Sequence, residues 1–258
     1  MMIELRGVYK QFQNHQLFTD LNLSIKARET VVLFGPSGSG KTVLIKMCLG
    51  LIKPDRGEIY LDGERIDNLP EKQLTQIRMK TGTLFQYYAL FDSLTVSQNV
   101  AFYLANHTDM TEEEINTRVR EILIQVNLDG NQHLKPAELS GGMQKRVGIA
   151  RALVHQPKII FYDSPTDGLD PVTADRIIDL IKKLDTDLGT TSLVISNDMN
   201  TAFRVADRMG MIYNGNILQI GTPGAIAASK DPYVYQFIRG LETGPLLDEM
   251  EKITSDND

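Results

Sequence analysis

The chain has 258 residues, a formal net charge of −6 and a pI near 5.3. A chain of this length can bury a large core as one domain of two subdomains, and its acidic balance argues against nucleic acid as a partner. Its single cysteine, Cys48, excludes an internal disulfide framework, and no apolar run reaches the length of a bilayer crossing. The N-terminus shows no signal-peptide pattern, so we expect that a partner would have to hold the chain at any membrane.

Three segments near the N-terminus predict an antiparallel β layer. Residues 3–8 and 21–25 are rich in strand-forming side chains, and residues 21–25 alternate between apolar and polar positions. Residues 58–61 form a third predicted strand, which enters a tight turn at Asp62-Gly63. We expect this layer to pack beside the main sheet of the molecule.

A glycine-rich segment at residues 35–42 has the G-x-x-x-x-G-K-[ST] spacing of a phosphate-binding loop. A short apolar strand is predicted before it, at residues 30–34, and apolar residues recur at helical spacing after it. A strand, glycine loop and helix in this order point backbone N–H groups and the positive end of the helix toward one anion. In such a loop Lys41 would reach the β- and γ-phosphates, and the Thr42 hydroxyl would ligate Mg²⁺. The candidate phosphate-binding residues are Gly35, Pro36, Ser37, Gly38, Ser39, Gly40, Lys41 and Thr42.

The middle of the chain predicts a helical region. A short strand at residues 83–85 ends at Gln86, and a capping box from Thr111 to Glu114 opens an amphipathic helix. The segment Leu139-Ser140-Gly141-Gly142-Met143 opens a second helix, in which the Ser140 hydroxyl can cap the helix and bind a phosphate oxygen.

The second half of the chain alternates strands and helices. Residues 159–163 predict a buried strand that ends in the carboxylate of Asp163, and Asp170 followed by proline predicts a helix start. Residues 192–196 predict another core strand, and residues 209–220 predict a hairpin. The alternation predicts an α/β fold whose core has a largely parallel sheet.

These motifs, in this order, resemble those of the ATP-binding-cassette (ABC) ATPases over roughly residues 2–225. The resemblance implies a P-loop NTPase core, an antiparallel β layer and a helical subdomain at about residues 87–140. It implies an ABC ATPase domain over residues 1–240 and a C-terminal tail over residues 241–258. We expect the acidic end of the tail, residues 248–258, to be disordered because it has few apolar side chains.

The same resemblance implies roles for residues outside the P-loop, with ATP and Mg²⁺ as cofactors. Phe12 matches the ring that stacks on adenine, Gln86 the Q-loop glutamine that ligates Mg²⁺, and Asp163 the Walker B carboxylate that also holds Mg²⁺. Asp170 matches the D-loop aspartate, which touches the other subunit, and its position is also explained by helix capping. The signature residues that would bind the other subunit's nucleotide are Ser140, Gly141 and Gly142.

Two positions that drive hydrolysis in the family differ in this chain. Ser164 stands where the family has a glutamate, and Asn197 stands where it has a histidine. A serine hydroxyl cannot act as a general base near neutral pH, so slow hydrolysis is expected. Asp167 can orient a water in place of the glutamate, although our interpretation favours a solvated loop acid or a contact to a second subunit.

Three further stretches resemble the ATPases of the Mla and Mce phospholipid-transport systems. They are the signature helix from Leu139 to Val147, the segments 82–86, 89–96 and 99–102 around Gln86, and the segments 236–240 and 244–246. Tyr87 and Tyr88 differ from this group, which has small residues after the glutamine. This resemblance implies a peripheral subunit on the cytoplasmic side of the inner or plasma membrane, held by an integral membrane permease and paired with a second copy or a related cassette chain. The alternative is a non-hydrolysing ATP-dependent regulatory or scaffold subunit paired with a complete cassette ATPase.

Two surfaces are candidates for these partners. The first follows Gln86 and is expected to dock the permease, unless its members pack inside the helical subdomain. Its members are Tyr87, Tyr88, Leu90, Phe91 and Leu94. The second is a short apolar helix predicted after Asp231-Pro232, which either stabilises a homodimer or packs on its own subunit.

Overall fold

The computed structural model describes residues 1–13, 15–86 and 89–247. Its strands are β1 Ile3–Phe12, β2 His15–Ile25, β3 Thr30–Phe34, β4 Arg56–Leu61, β5 Glu64–Arg65, β6 Thr81–Leu84, β7 Ile159–Asp163, β8 Thr191–Ile195, β9 Arg208–Tyr213 and β10 Asn216–Gly221. Its α-helices are α1 Lys41–Cys48, α2 Glu71–Met79, α3 Val96–His107, α4 Glu112–Gln125, α5 Gly141–Leu153, α6 Pro171–Leu188, α7 Met199–Val205, α8 Pro223–Ala227 and α9 Pro232–Arg239. None of the helices in these described ranges combines the length and the apolar composition that a membrane crossing requires.

Six strands form the main sheet, in the order β10-β9-β3-β8-β7-β6. The five strands from β9 to β6 run parallel, and β10 pairs antiparallel with β9 at one edge. Every residue of β3, β7 and β8 is buried, as expected for central parallel strands covered on both faces. The largely parallel sheet predicted from the sequence is confirmed.

The second sheet is antiparallel, in the order β2-β1-β4-β5, and confirms the predicted β layer. Its first two strands are longer than the predicted segments 3–8 and 21–25, because the strands continue to Phe12 and from His15. The added residues have no clear apolar alternation. They are held as strand by cross-strand pairing through register shifts, with Lys10 opposite Phe18 and Phe12 opposite His15.

The main sheet separates two hydrophobic cores. Successive side chains of β3 point to opposite faces, so Val32 and Phe34 pack among the helices, whereas Val31 and Leu33 pack with α1 and the antiparallel sheet. Cys48, at the end of α1, is wholly buried in the second core, and burial raises the pKa of its thiol to about 12. The strand that leads into the glycine loop is therefore fixed from both sides.

The helices α3 and α4 lie within the region predicted to be helical. Each begins with a capping box, from Thr95 and from Thr111. The Asn99 side chain on α3 is wholly buried and closes two hydrogen bonds with the Phe91 backbone, accepting from its N–H (2.8 Å) and donating to its carbonyl (3.1 Å). This bond pair ties the loop that precedes α3 to the helix.

The C-terminal segment packs on its own subunit. The ring of Phe237 on α9 lies 5.5 Å from that of Phe34, at the end of β3. Beyond the helix, Leu246 is buried and its N–H donates to Gln236 Oε1 (2.8 Å). These contacts favour internal packing over a dimer contact for this segment. The prediction that residues 248–258 are disordered falls outside the described residues.

Removing this segment should lower the stability of the chain. A chain that ends at residue 230 loses the burial of Val234 and Leu246 and the contact of Phe237 with β3. We expect its unfolding temperature to fall by about 5 °C or more relative to a chain that ends at residue 247, since roughly 1 kcal/mol corresponds to 2–4 °C in a domain of this size. Both chains should sediment alike. If the shorter chain dissociates at a concentration where the longer one is paired, the segment is a dimer contact instead.

Candidate nucleotide site

The glycine loop joins β3 to α1 at the carboxyl end of the main sheet. Strand β3 ends at Phe34 and helix α1 begins at Lys41. Gly35 has φ +145°, and a Cβ there would lie 2.2 Å from the carbonyl oxygen of Ile212, so no side chain fits. Gly40 caps α1 in the left-handed region, with φ +92°. The structure therefore has the strand, loop and helix that the sequence predicts around an anion.

Lys41 lies inside this loop. Its side chain is buried, and Nζ donates to the carbonyls of Gly35 (2.6 Å) and Pro36 (2.8 Å) and to Ser39 Oγ (3.3 Å). Burial lowers the pKa of Lys41 to about 8, although the negative charges of two aspartates act in the opposite direction. A cation held by carbonyl groups in this way is positioned to bind negatively charged oxygens that approach the loop.

Asp163 and Thr42 form the candidate metal site. Asp163 is the last residue of β7 and is buried, and its Oδ1 has no hydrogen-bond partner among the described residues. Burial raises the pKa of its carboxyl group, and a hydrogen bond with the Thr42 side chain lowers it in part. An unpartnered buried carboxylate oxygen beside a hydroxyl fits Mg²⁺, which takes oxygen ligands from one or two carboxylates and from substrate phosphates.

Gln86 and Asp167 are joined by a hydrogen bond that the sequence did not indicate. Gln86 follows β6, and its Nε2 donates to Asp167 Oδ2 at 3.0 Å. Asp167 is exposed and lies in the loop between β7 and α6. Burial is the largest influence on the pKa of both Lys41 and Asp163, and the negative charge of Asp167 acts on each of them toward a higher pKa. The structure thus brings the predicted Q-loop glutamine and this additional acid together at one edge of the site.

Lys145 is a site residue that the sequence analysis missed. It lies on α5, is wholly buried, and donates from Nζ to the carbonyls of Gln86 (3.3 Å) and Ser164 (3.2 Å). Burial lowers its pKa to about 8, and the charges of Asp167 and Asp163 raise it in part. Lys145 therefore connects the helix that carries the signature to the two loops that follow β6 and β7.

The two positions that differ from the family lie at the ends of neighbouring strands. Ser164 follows β7 in the left-handed region, with φ +51°, and its N–H donates to the Ile195 carbonyl (2.9 Å). Asn197 lies shortly after β8 and is exposed, and the next residue, Asp198, caps α7. Because β7 and β8 pair in parallel, both residues lie at the same edge of the sheet as the glycine loop.

The signature residues lie at the start of α5. Ser140 caps this helix, and its Oγ accepts a hydrogen bond from the Met143 N–H (3.3 Å). Ser140 and Gly141 are exposed, whereas Gly142 is buried against Thr173 on α6. Their open side faces solvent, where a second molecule can reach it.

The predicted D-loop and adenine residues are both on the surface. Asp170 is exposed and caps α6, and its Oδ1 accepts from the Thr173 N–H (3.0 Å). Phe12 ends β1 with 42 % of its surface exposed, and the Lys10 ammonium lies 5.1 Å from its ring centroid. An open aromatic face of this kind suits stacking on a flat base.

The predicted docking surface is partly described. Phe91 is 42 % exposed and its ring lies 4.5 Å from that of Phe102, which is 39 % exposed. The guanidinium of Arg151 lies 6.0 Å from the Phe91 ring. Leu90 packs against the helical core. Two further members of this predicted surface, Tyr87 and Tyr88, lie outside the described residues.

Comparisons with known proteins agree with this geometry. The ABC transporter family model matches residues 18–167. The chain is similar to the probable ribonucleotide transport ATP-binding protein mkl of Mycobacterium tuberculosis, with 41 % identity over 244 residues that cover 95 % of this chain and 68 % of that protein. It is similar to the intermembrane phospholipid transport system ATP-binding protein MlaF of Escherichia coli K12, with 36 % identity over 245 residues that cover 95 % and 91 % of the two chains.

A solved structure gives the same result. The dimeric ATP-binding cassette MJ0796, bound to ADP and Pi in a post-hydrolysis state, is 35 % identical and has a TM-score of 0.79, with 86 % of this chain and 99 % of that chain covered. The chain therefore belongs to the ABC transporter family, as one of its ATP-binding subunits.

Proposed function

We propose that this chain binds ATP with Mg²⁺ and hydrolyses it slowly to drive a membrane permease that moves phospholipid between membranes, together with a lipid-binding protein. The observation that supports nucleotide binding is the pair of side chains where the start of α1 lies beside the end of β7. There, the Thr42 side chain lies close enough to Asp163 to lower the pKa of its carboxyl group, and Asp163 Oδ1 has no hydrogen-bond partner among the described residues. A carboxylate and a hydroxyl beside a glycine loop are what a phosphate-bound Mg²⁺ requires.

In this proposal each residue has a defined task. The loop N–H groups and Lys41 bind the β- and γ-phosphates, and the ring of Phe12 stacks on the base. Thr42, Asp163 and Gln86 hold Mg²⁺, which neutralises negative charge on the phosphates when it is bound. Gln86 also links the nucleotide to the helical region, since it begins the loop that leads to α3.

We expect slow turnover because this chain lacks the glutamate and the histidine that drive hydrolysis in the family. A serine at position 164 supplies no base, and Asn197 can donate a hydrogen bond to a phosphate but carries no charge. Losing a positioned base commonly reduces a rate by about 10²–10⁴-fold. The same two residues favour the second candidate, a non-hydrolysing regulatory or scaffold subunit that binds ATP beside a complete cassette ATPase.

A second cassette chain is proposed to complete each site. Ser140, Gly141 and Asp170 are all exposed, so each can reach a partner molecule. MJ0796, which this chain resembles, is a dimer in its solved structure. We propose a homodimer in which the signature of one subunit closes over the nucleotide on the P-loop of the other.

Phospholipid is the proposed cargo because the local matches in the signature helix, around Gln86 and near the C-terminus resemble the Mla and Mce ATPases. The relative MlaF belongs to a phospholipid transport system, whereas mkl is described as a ribonucleotide transport protein. The proposed location is the cytoplasmic face of the inner or plasma membrane, where the permease holds the chain.

The test is ATP turnover by the purified chain, alone and with its permease in vesicles. We expect measurable phosphate release that depends on Mg²⁺ and rises when the permease is present. ATP-dependent movement of labelled phospholipid, but not of labelled ribonucleotide, is expected in the same vesicles. ATP binding without phosphate release under both conditions would establish the regulatory alternative. Movement of ribonucleotide alone would reassign the cargo.

We also predict that the permease docks on the surface around Phe91. This exposed ring is paired with Phe102, and its backbone is fixed by Asn99, so truncation removes contact area without loosening the loop. Phe91→Ala is expected to lower permease recovery in a pull-down about fivefold or more, with ATP affinity unchanged. Tyr235→Ala is the matched control, because this ring is equally exposed on α9. Equal recovery of the permease by both variants would refute this docking surface.

A further inference from the structure

The loop between β7 and α6 carries a carboxylate close to the place of the missing glutamate. Asp167 follows Ser164 by one tight turn, in which the Asp167 N–H donates to the Ser164 carbonyl (3.2 Å). Such a turn brings its first and last residues within about 7 Å of each other. A side chain at position 167 can therefore reach the space that a longer side chain at position 164 would occupy.

This turn is held in a fixed position from three directions. Lys145 Nζ donates to the same Ser164 carbonyl at 3.2 Å, and the Ser164 N–H donates to the Ile195 carbonyl. Gln86 Nε2 donates to Asp167 Oδ2 at 3.0 Å, which directs the carboxylate toward the Q loop. Lys145 Nζ also donates to the Gln86 carbonyl. The loop after β6 and the loop after β7 are therefore linked twice, by the hydrogen bond between Gln86 and Asp167 and by the buried Lys145 ammonium.

We propose that Asp167 supplies the carboxylate that orients the attacking water in place of the family's glutamate. This inference rests on the proposed ATP hydrolysis. In the assisted step, the water oxygen forms a bond to the γ-phosphorus, and the bond from that phosphorus to the β–γ bridging oxygen breaks, with its electron pair leaving on ADP. One water proton stays on the phosphate product and the other is released to solvent.

Asp167 accepts a hydrogen bond from the water during this step, with its second oxygen bound to Gln86. Lys145 acts as a positioning residue, because it fixes the carbonyls at both ends of the arrangement without facing the substrate. The hydrogen bond from Gln86 places the Asp167 carboxylate beside the Q-loop glutamine of its own subunit.

The test compares Asp167→Asn with Asp167→Ala in the full chain. Asparagine keeps an oxygen that accepts from Gln86 but removes the charge, whereas alanine removes both. We expect Asp167→Asn to lower phosphate release at saturating ATP about 10²-fold, within the range typical of a positioned base, with ATP affinity within twofold of wild type. Asp187→Asn is the matched control, since this exposed acid lies on α6 outside the site and its turnover should be unchanged.

A second variant tests the substitution of one carboxylate for another. Adding Ser164→Glu to Asp167→Asn should restore turnover at least tenfold, because it returns an acid to the family position. Wild-type turnover in Asp167→Asn, or a parallel loss of ATP affinity, would overturn the proposal. A folded, ATP-binding double variant that stays as slow as Asp167→Asn would also overturn it. If the wild-type chain binds ATP without any turnover, the proposed hydrolysis itself is wrong, and this inference falls with it.

Discussion

Replacing Lys41 with alanine is expected to lower the ATP affinity of this chain at least tenfold, which corresponds to about 1.4 kcal/mol or more. The Lys41 ammonium donates to the carbonyls of Gly35 and Pro36, so its positive charge lies within the glycine loop. Alanine removes the charge and leaves these carbonyls without their donor. The measurement is equilibrium binding of a labelled ATP analogue with Mg²⁺ present.

The control for this variant is Lys53→Ala, which removes an exposed lysine that lies after α1. It should bind ATP like the wild type, since Lys53 is exposed and charges in solvent are screened by salt. Thermal unfolding of both variants checks that the loop change does not act through loss of the fold. Unchanged ATP affinity in Lys41→Ala would show that residues 35–42 do not form the phosphate site.

Introducing glutamate at position 164 is expected to raise turnover at saturating ATP by about tenfold or more. The new carboxylate follows Asp163 directly and can accept a hydrogen bond from water where serine cannot. The backbone already holds the left-handed conformation at this position, with φ +51°, so the change adds a side chain without imposing a new conformation. Combining it with Asn197→His should raise turnover further.

Ser164→Gln is the matched control, because it adds a side chain of similar size without a charge. We expect it to leave turnover at the wild-type level or below. A flat or lower rate in Ser164→Glu would show that hydrolysis is not limited at this position, and an equal gain in Ser164→Gln would trace the effect to side-chain length. Rates are measured as phosphate release from the purified chain.

Local patterns were sufficient to predict the fold and the position of the glycine loop. The loop is predictable because its residue spacing is flanked by an apolar strand and a helix, and backbone geometry then leaves few alternatives. The ends of β1 and β2 were not predictable. Residues beyond Val8 are strand because they pair with the neighbouring strand, and pairing leaves no alternation in the sequence when the side chains are partly exposed.

The link through Lys145 could not be predicted from residue type, because a lysine on a helix is usually solvated. The sequence did contain one indication that Lys145 is buried, which is its spacing from apolar and small residues of the same helix. Gly142, Lys145, Ile149 and Ala152 recur on one face of α5, and all four are buried. The bond between Gln86 and Asp167 had no signal of this kind, since it joins loops that are far apart in sequence and meet only through the parallel pairing of β6 and β7.

The strand order has a consequence for when the chain becomes able to bind a nucleotide. β3 pairs with β8 on one side and with β9 on the other, and Gly35 approaches the Ile212 carbonyl so closely that no side chain fits between them. Parallel strands that are distant in sequence pair slowly, because chain entropy is lost before the contacts form. A nascent chain that contains residues 35–42 but not β8 and β9 therefore has the sequence of the glycine loop without its folded conformation. We expect ATP affinity to be acquired only late in folding. Bound ATP then selects completely folded molecules and stabilises them by mass action.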